Sequence, residues 1–174
     1  WGNGGNNLLT VTQNGATNNL FASGGFASIV ANKTTTITNA MRLLSKAGGG
    51  TGWELSGAFG AGFGYPQFTL YATTATGAWV SSAFMPSSGG HIFDIAYSYA
   101  NLANVPTMGV DGTAQSYQNP TQPSGAISDG NNLTIGNVAA GGFGWSGDIC
   151  EVFLARQNLN AAQTNAVRRN QAVF

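Results

Sequence analysis

The sequence is poor in charge. Charged residues make up 7% of its 174 residues, six Lys and Arg against six Asp and Glu, where an ordinary soluble protein carries about 25%. A net charge of zero with scattered cations leaves no electrostatic footprint for nucleic acid, and none is expected as a partner. Cysteine is almost missing, and the lone Cys150 excludes an intrachain disulfide framework. His91 is the single histidine; one His with one Cys cannot make the usual zinc sets. No run approaches the ~18 apolar residues of a spanning helix, so no membrane insertion is expected. The chain starts at Trp1 without a signal-peptide pattern, which reads as a processed or partial piece of a longer product.

Neutral polarity fills the gap. Ser 13, Thr 17, Asn 18 and Gln 8 make about a third of the chain, and Gly adds 26. At 43% hydrophobic the chain is no disordered polar tract, and its length suits one domain with a sizeable core. So little charge gives little self-repulsion in solution, which suits a secreted protein or one locked into an assembly.

Strand patterns dominate. Short runs rich in β-branched and aromatic residues are separated by Gly, Asn and Ser clusters. Residues 26–32 alternate between Phe26, Ser28, Val30 and Ala27, Ile29, Ala31, both sets small or apolar, so this strand suits cover on both faces. Strands are predicted at 42–46 and 53–56, joined by the Gly48–Gly50 turn, and at 67–72 and 79–84. In 91–99, Phe93, Ile95, Tyr97 and Tyr99 form an inward aromatic face opposite Ile92, Asp94, Ala96 and Ser98, the pattern of a half-buried strand. Strands 107–110 and 113–117 flank Asp111-Gly112, a strong two-residue hairpin signal. Residues 119–131 read as a long loop, and 133–136 and 148–155 as further strands. A helix over 161–170 starts at Asn160 with Gln163 three residues on, a capping box, and carries Arg168 and Arg169 in its last turn. The Gly- and Asn-rich residues 1–7 read as an arm. The domain division is 1–19, an arm and first strand, and 20–174, the main domain. About ten short strands and one terminal helix point to an all-β fold, a two-sheet antiparallel sandwich.

Chemistry-bearing residues are sparse. The carboxylates are Glu54, Asp94, Asp111, Asp129, Asp148 and Glu151. Glycoside hydrolysis needs two across one bond. Only Asp148 and Glu151 are close in sequence, and positions three apart on a strand point to opposite faces. His91 reads as a polar residue at a strand start. Cys150, in alternation with Val152 and Leu154, reads as a buried core thiol. The Gly-rich residues 57–64 lack the Lys-Ser/Thr ending of a phosphate loop. Asn32-Lys33-Thr34 and Asn132-Leu133-Thr134 fit the glycosylation pattern, as chance matches do in an Asn/Thr-rich chain. No catalytic residue is assigned, and the chain reads as no enzyme. Calcium is the metal left open, with Asp111, Asp129 and Asp148 as its candidate ligands; no other cofactor is expected. Tyr65, Tyr71, Trp79, Tyr117 and Trp145 could stack on sugar rings, with Tyr65, Tyr117 and Trp145 taken as the glycan-binding candidates.

Ordered motifs carry a family resemblance. Gly147-Asp148-Ile149-Cys150-Glu151-Val152, followed by Leu159-Asn160-Ala161-Ala162-Gln163, resembles the closing signature of laminin-G-like, concanavalin A-like domains. Asn104-Val105-Pro106-Thr107, Val110-Asp111-Gly112, Pro123-Ser124-Gly125 and Leu133-Thr134-Ile135-Gly136-Asn137 match in order upstream. So do Leu20 to Gly25, Leu44-Ser45-Lys46 and Gly52-Trp53-Glu54-Leu55. The similarity spans about residues 20–170. It implies a jelly-roll sandwich that binds glycans, receptors or other subunits, some members with calcium at the rim. The Glu-x-Asp-x-x-Glu strand of hydrolytic relatives is absent. The usual Trp-His-His is replaced by Gly89-Gly90-His91. The variant is similar to forms in bacteriophage structural proteins and bacterial surface proteins.

Together these readings imply a non-catalytic module on the virion surface or another extracellular particle. It would serve as phage capsid decoration or as a tail-associated adhesin. Its expected partners are other virion or assembly subunits, a second copy of itself, or a cell-surface glycan. The alternative reading is a carbohydrate-binding module of a secreted bacterial protein.

Overall fold

The computed structural model describes residues 8–32, 41–57, 64–86, 89–137 and 142–172. Twelve strands and one helix lie among them. The arm at 1–7, most of the Gly-rich 57–64 run, and Lys33 and Thr34 of the first glycosylation triplet lie outside the described residues.

Strands β1 (Leu9–Val11), β3 (Arg42–Ser45), β4 (Gly52–Gly57), β5 (Pro66–Tyr71), β6 (Gly77–Ser81), β10 (Tyr117–Thr121) and β11 (Leu133–Ile135) form one sheet. Its order is β1-β11-β3-β4-β5-β6-β10. A second sheet has the order β12-β2-β7-β8-β9. It is built from β2 (Gly25–Asn32), β7 (Gly90–Tyr97), β8 (Thr107–Val110), β9 (Thr113–Ala114) and β12 (Ile149–Ala155). Every ladder is antiparallel. This is the two-sheet jelly-roll sandwich with a short C-terminal helix, α1 (Ala161–Gln171).

The period-2 alternation places the core. Leu44, Trp53, Leu55, Phe68, Leu70 and Trp79 from the seven-stranded sheet meet Ala27, Ile29, Phe93, Ile95 and Tyr97 from the other. Phe21 joins them from the turn before β2, 5.1 Å from Trp53 and 5.4 Å from Phe68, edge to face. Each such ring or branched side chain contributes about 1.5–3 kcal/mol by leaving water. Trp79, a sugar-stacking candidate from sequence, is fully buried in this core.

α1 covers the outer face of the five-stranded sheet. Ser28 Oγ donates to Gln171 Oε1 at 2.6 Å, and Arg168 grips Asp94 with bonds of 2.8 and 2.9 Å. β2 is therefore buried on both faces, as its two apolar sets predict. β7 is buried more fully than a half-buried strand, because the helix also covers Ile92 and Asp94. The capping box forms with both bonds, Asn160 Oδ1 accepting from Gln163 N and Gln163 Oε1 from Asn160 N. At Asp111-Gly112 both residues take positive φ, 49° and 80°, as the tight hairpin turn requires.

Two expectations fail. The loop at 119–131 begins as a strand: β10 pairs with β6 at the sheet edge, with a register shift between Gln118 and Thr121. Pro120 sits in that irregularity, where its missing N–H breaks no regular ladder. Cys150 is exposed, not a core thiol. Ile149 pairs Ala31 while Glu151 pairs Val30, so the register slips at Cys150. The bulge resets the alternation: Ile149, Val152 and Leu154 pack on the core, and Cys150 is left outside.

Candidate functional site

The outward face of the seven-stranded sheet carries a transverse row of small polar side chains. Thr10, Thr134, Ser45, Glu54, Thr69, Ala78 and Thr121 pair in sequence across all seven strands. A parallel row two residues away holds Arg42, Ser56, Gln67, Val80 and Gln118. The outward side of a sheet is normally solvated. Here Ser45 is 2%, Glu54 3%, Thr134 2% and Thr69 5% exposed. These side chains form a buried polar floor on the outer face.

Aromatic rings flank this face. The segment after Gly142 lies along β3, with Arg42 N donating to Phe143 O at 2.9 Å. The Phe143 ring covers the Arg42 guanidinium at 5.0 Å. Beyond β6, Phe84 stacks on Tyr65 with centroids 4.0 Å apart. Tyr65 precedes β5 and continues the outward phase of Gln67, Thr69 and Tyr71. Phe84 and Phe143 are two of only four exposed large apolar residues described, at 62% and 41%. The strands between them, at ~4.8 Å spacing, put β3 and β6 roughly 14 Å apart.

Glu54 organises the floor. Its Oε2 lies 2.7 Å from Arg42 Nε and accepts the Tyr71 hydroxyl at 2.8 Å. Its Oε1 accepts Ser45 Oγ at 3.1 Å. Burial pushes the Tyr71 hydroxyl up to about 12, and the Glu54 charge adds to it. Tyr71 therefore stays a neutral donor. Opposite Tyr71 on β4 stands Gly52. Its φ is +105°, and a Cβ there would lie 2.2 Å from Lys46 O, so the position requires glycine.

The sequence-derived calcium ligands are not brought together. Asp129 is fully buried, with Lys46 Nζ at 3.0 Å and bonds from Leu20 N at 2.9 Å and Trp53 Nε1 at 3.3 Å. Burial raises its carboxyl while Lys46 opposes the shift. Asp111 takes His91 Nδ1 at 2.6 Å and Ile92 N at 2.8 Å, placing His91 at a strand start. Asp148 accepts from Asn32 Nδ2 at 3.0 Å. Among the described residues no group of three His, Cys, Asp or Glu could hold a metal.

The aromatic candidates separate too. Trp145 is buried and donates through Nε1 to Asn32 O at 2.7 Å, a core residue and not a sugar platform. Tyr117 packs against the core and donates to Pro106 O at 2.6 Å, so its hydroxyl is used internally. Tyr65 stays beside the polar floor. Arg42, Gln67, Thr69, Phe84 and Phe143 were not singled out from sequence, and Glu54 only as one of the six carboxylates. The polar alternation of Gln67, Thr69 and Tyr71 against Phe68 and Leu70 was the signal for an outward polar face.

A concavity of about 600 Å³ lies between α1 and the β7–β8 side, lined by Ile92, Asp111, Arg168, Arg169 and Gln171 among others. No aromatic ring lines it, so it offers no stacking platform. Among the described residues no helix is long and apolar enough to cross a membrane.

No known family model matches the chain, and no curated protein matches it. Solved structures do. The fold is similar to the IT-sialidase CBM40 of Ruminococcus gnavus bound to α2,3-sialyllactose, with a TM-score of 0.64 and 15% identity over 95% of this chain and 100% of that one. It is similar to domain 4 of an extracellular arabinanase from Geobacillus stearothermophilus in complex with arabinotriose, at 0.63 and 10% over 91% and 71%. It is also similar to the native heptameric SAP-like pentraxin of Limulus polyphemus, at 0.59 and 13% over 92% and 80%. At such identities the likeness shows the fold alone, a two-sheet jelly-roll sandwich.

Proposed function

We propose that this chain is a non-catalytic module that binds a glycan on the polar face of its seven-stranded sheet. The observation that carries the reading is the double row, rich in hydroxyl and amide side chains, with Gln67 and Gln118 partly exposed and the exposed rings of Phe84 and Phe143 beside it. Sugar hydroxyls both donate and accept, which Ser, Thr, Gln and Tyr side chains match. The C–H faces of a pyranose or furanose pack on rings such as Phe84 and Phe143. Similar folds solved with α2,3-sialyllactose and arabinotriose support it. Glu54 is the one carboxylate on this face among the described residues, whereas glycoside cleavage takes a pair. The low charge and Asn/Thr/Gly-rich composition support placing the module on the outside of a particle, a phage virion included, with a cell-surface glycan as partner.

Isothermal titration of glycans identified on an array tests the binding. Phe84→Ala removes an exposed ring whose loss the core does not feel. It is expected to weaken binding about tenfold, about 1.4 kcal/mol. Unchanged affinity in this variant contradicts the placement of the site.

A further inference from the structure

We infer that the glycan taken by this face is uncharged, an inference that rests on the glycan-binding reading above. The floor holds one cation and one anion among the described residues, and they neutralise each other: Arg42 Nε is 2.7 Å from Glu54 Oε2. The guanidinium is further capped by the Phe143 ring at 5.0 Å, and the Arg42 side chain is only 12% exposed. The other described cations are committed or distant. Lys46 pairs with Asp129 inside the protein, and Arg168 pairs with Asp94 under α1. Arg156 donates to Gly15 O, and Arg169 sits on α1, over the other sheet.

A carboxylated sugar docking on this face would lose water and find no uncommitted cation among the described residues. Desolvating a carboxylate is costly unless a cation pairs with it. It would also approach the buried Glu54 charge. A neutral sugar meets none of these costs. The rows present it with the partly exposed amides of Gln67 and Gln118, which are uncharged. The Arg42–Glu54 pair therefore acts as a specificity determinant: it fixes Tyr71 and Ser45 and withholds a free positive charge from the ligand.

The test is an array of matched glycan pairs, each a neutral oligosaccharide and its sialylated or uronate-bearing counterpart, probed with the full chain at low and high salt. The neutral member of each bound pair is expected to bind at least about tenfold tighter, with little change on adding salt, since no free ion pair is screened. Preference for the acidic members, weakened by salt, overturns the inference and leaves the glycan-binding reading standing. Binding to neither class overturns both. Glu54→Gln leaves the Arg42 charge unbalanced and is expected to shift the acidic-to-neutral ratio upward about tenfold. An unchanged ratio in the folded variant removes the role given to the pair. The array on the parent chain decides the inference even where that variant does not fold.

Discussion

Glu54 and Asp129 are both buried carboxylates paired with a cation, yet they do different work. Asp129 with Lys46 ties the turn around Leu20 to the sheet, through bonds to Leu20 N and Trp53 Nε1. Lys46→Met strands the Asp129 charge and is expected to cost about 3–5 kcal/mol, read as a fall in the urea midpoint. A loss under about 1 kcal/mol would contradict a buried pair. Glu54 acts outward through Tyr71. The Tyr71 pKa in the folded protein, about 12, stands above the ordinary 10.0. Its contribution to stability is thus complete below pH 10 and is lost as the pH rises through about 12. Glu54→Gln removes the charge but neither an acceptor oxygen nor the burial, the largest cause, so the phenol should titrate lower than in the parent while staying above 10.0. Tyr97 and Tyr117, both raised to about 12 by burial, should not move. Absorbance titration near 295 nm compares them; a uniform shift of all tyrosines contradicts the local assignment.

At the scale of elements, local signals were legible and non-local ones were not. The Asn160–Gln163 box and the Asp111-Gly112 turn form as read, because a few neighbouring residues decide them. Asn160→Ala should cost about 1 kcal/mol, measured by thermal unfolding; no change would mean the cap is idle. β10 was hidden because Pro120 reads as a loop residue unless an edge register shift accommodates it. Cys150 was misplaced for a related reason. Strict alternation buries it, and only the pairing with β2 reveals the bulge. The thiol is therefore expected to react with a chromogenic disulfide reagent in the native protein at a rate near that of the unfolded chain. Reaction only after denaturant would restore the buried reading.

At the scale of the whole molecule, the sandwich followed from apolar alternation and from ordered family-like motifs. The solved structures it resembles have the same fold. The candidate site did not follow in the same way. Its floor is assembled by pairing across seven strands drawn from residues 10 to 134, and no short stretch contains it. Aromatic residues alone pointed equally to Trp145, which the fold buries, and to Tyr65, which it leaves beside the floor. Burial separated them. The polar face stands as the glycan site only if a ligand lands there. The most direct test is a backbone amide NMR titration with a neutral oligosaccharide. Shifts are expected at Ser45, Glu54, Thr69 and Ala78, with α1 and the β7–β8 hairpin unmoved. Shifts confined to α1 and that hairpin, or none at saturating sugar, would contradict the account.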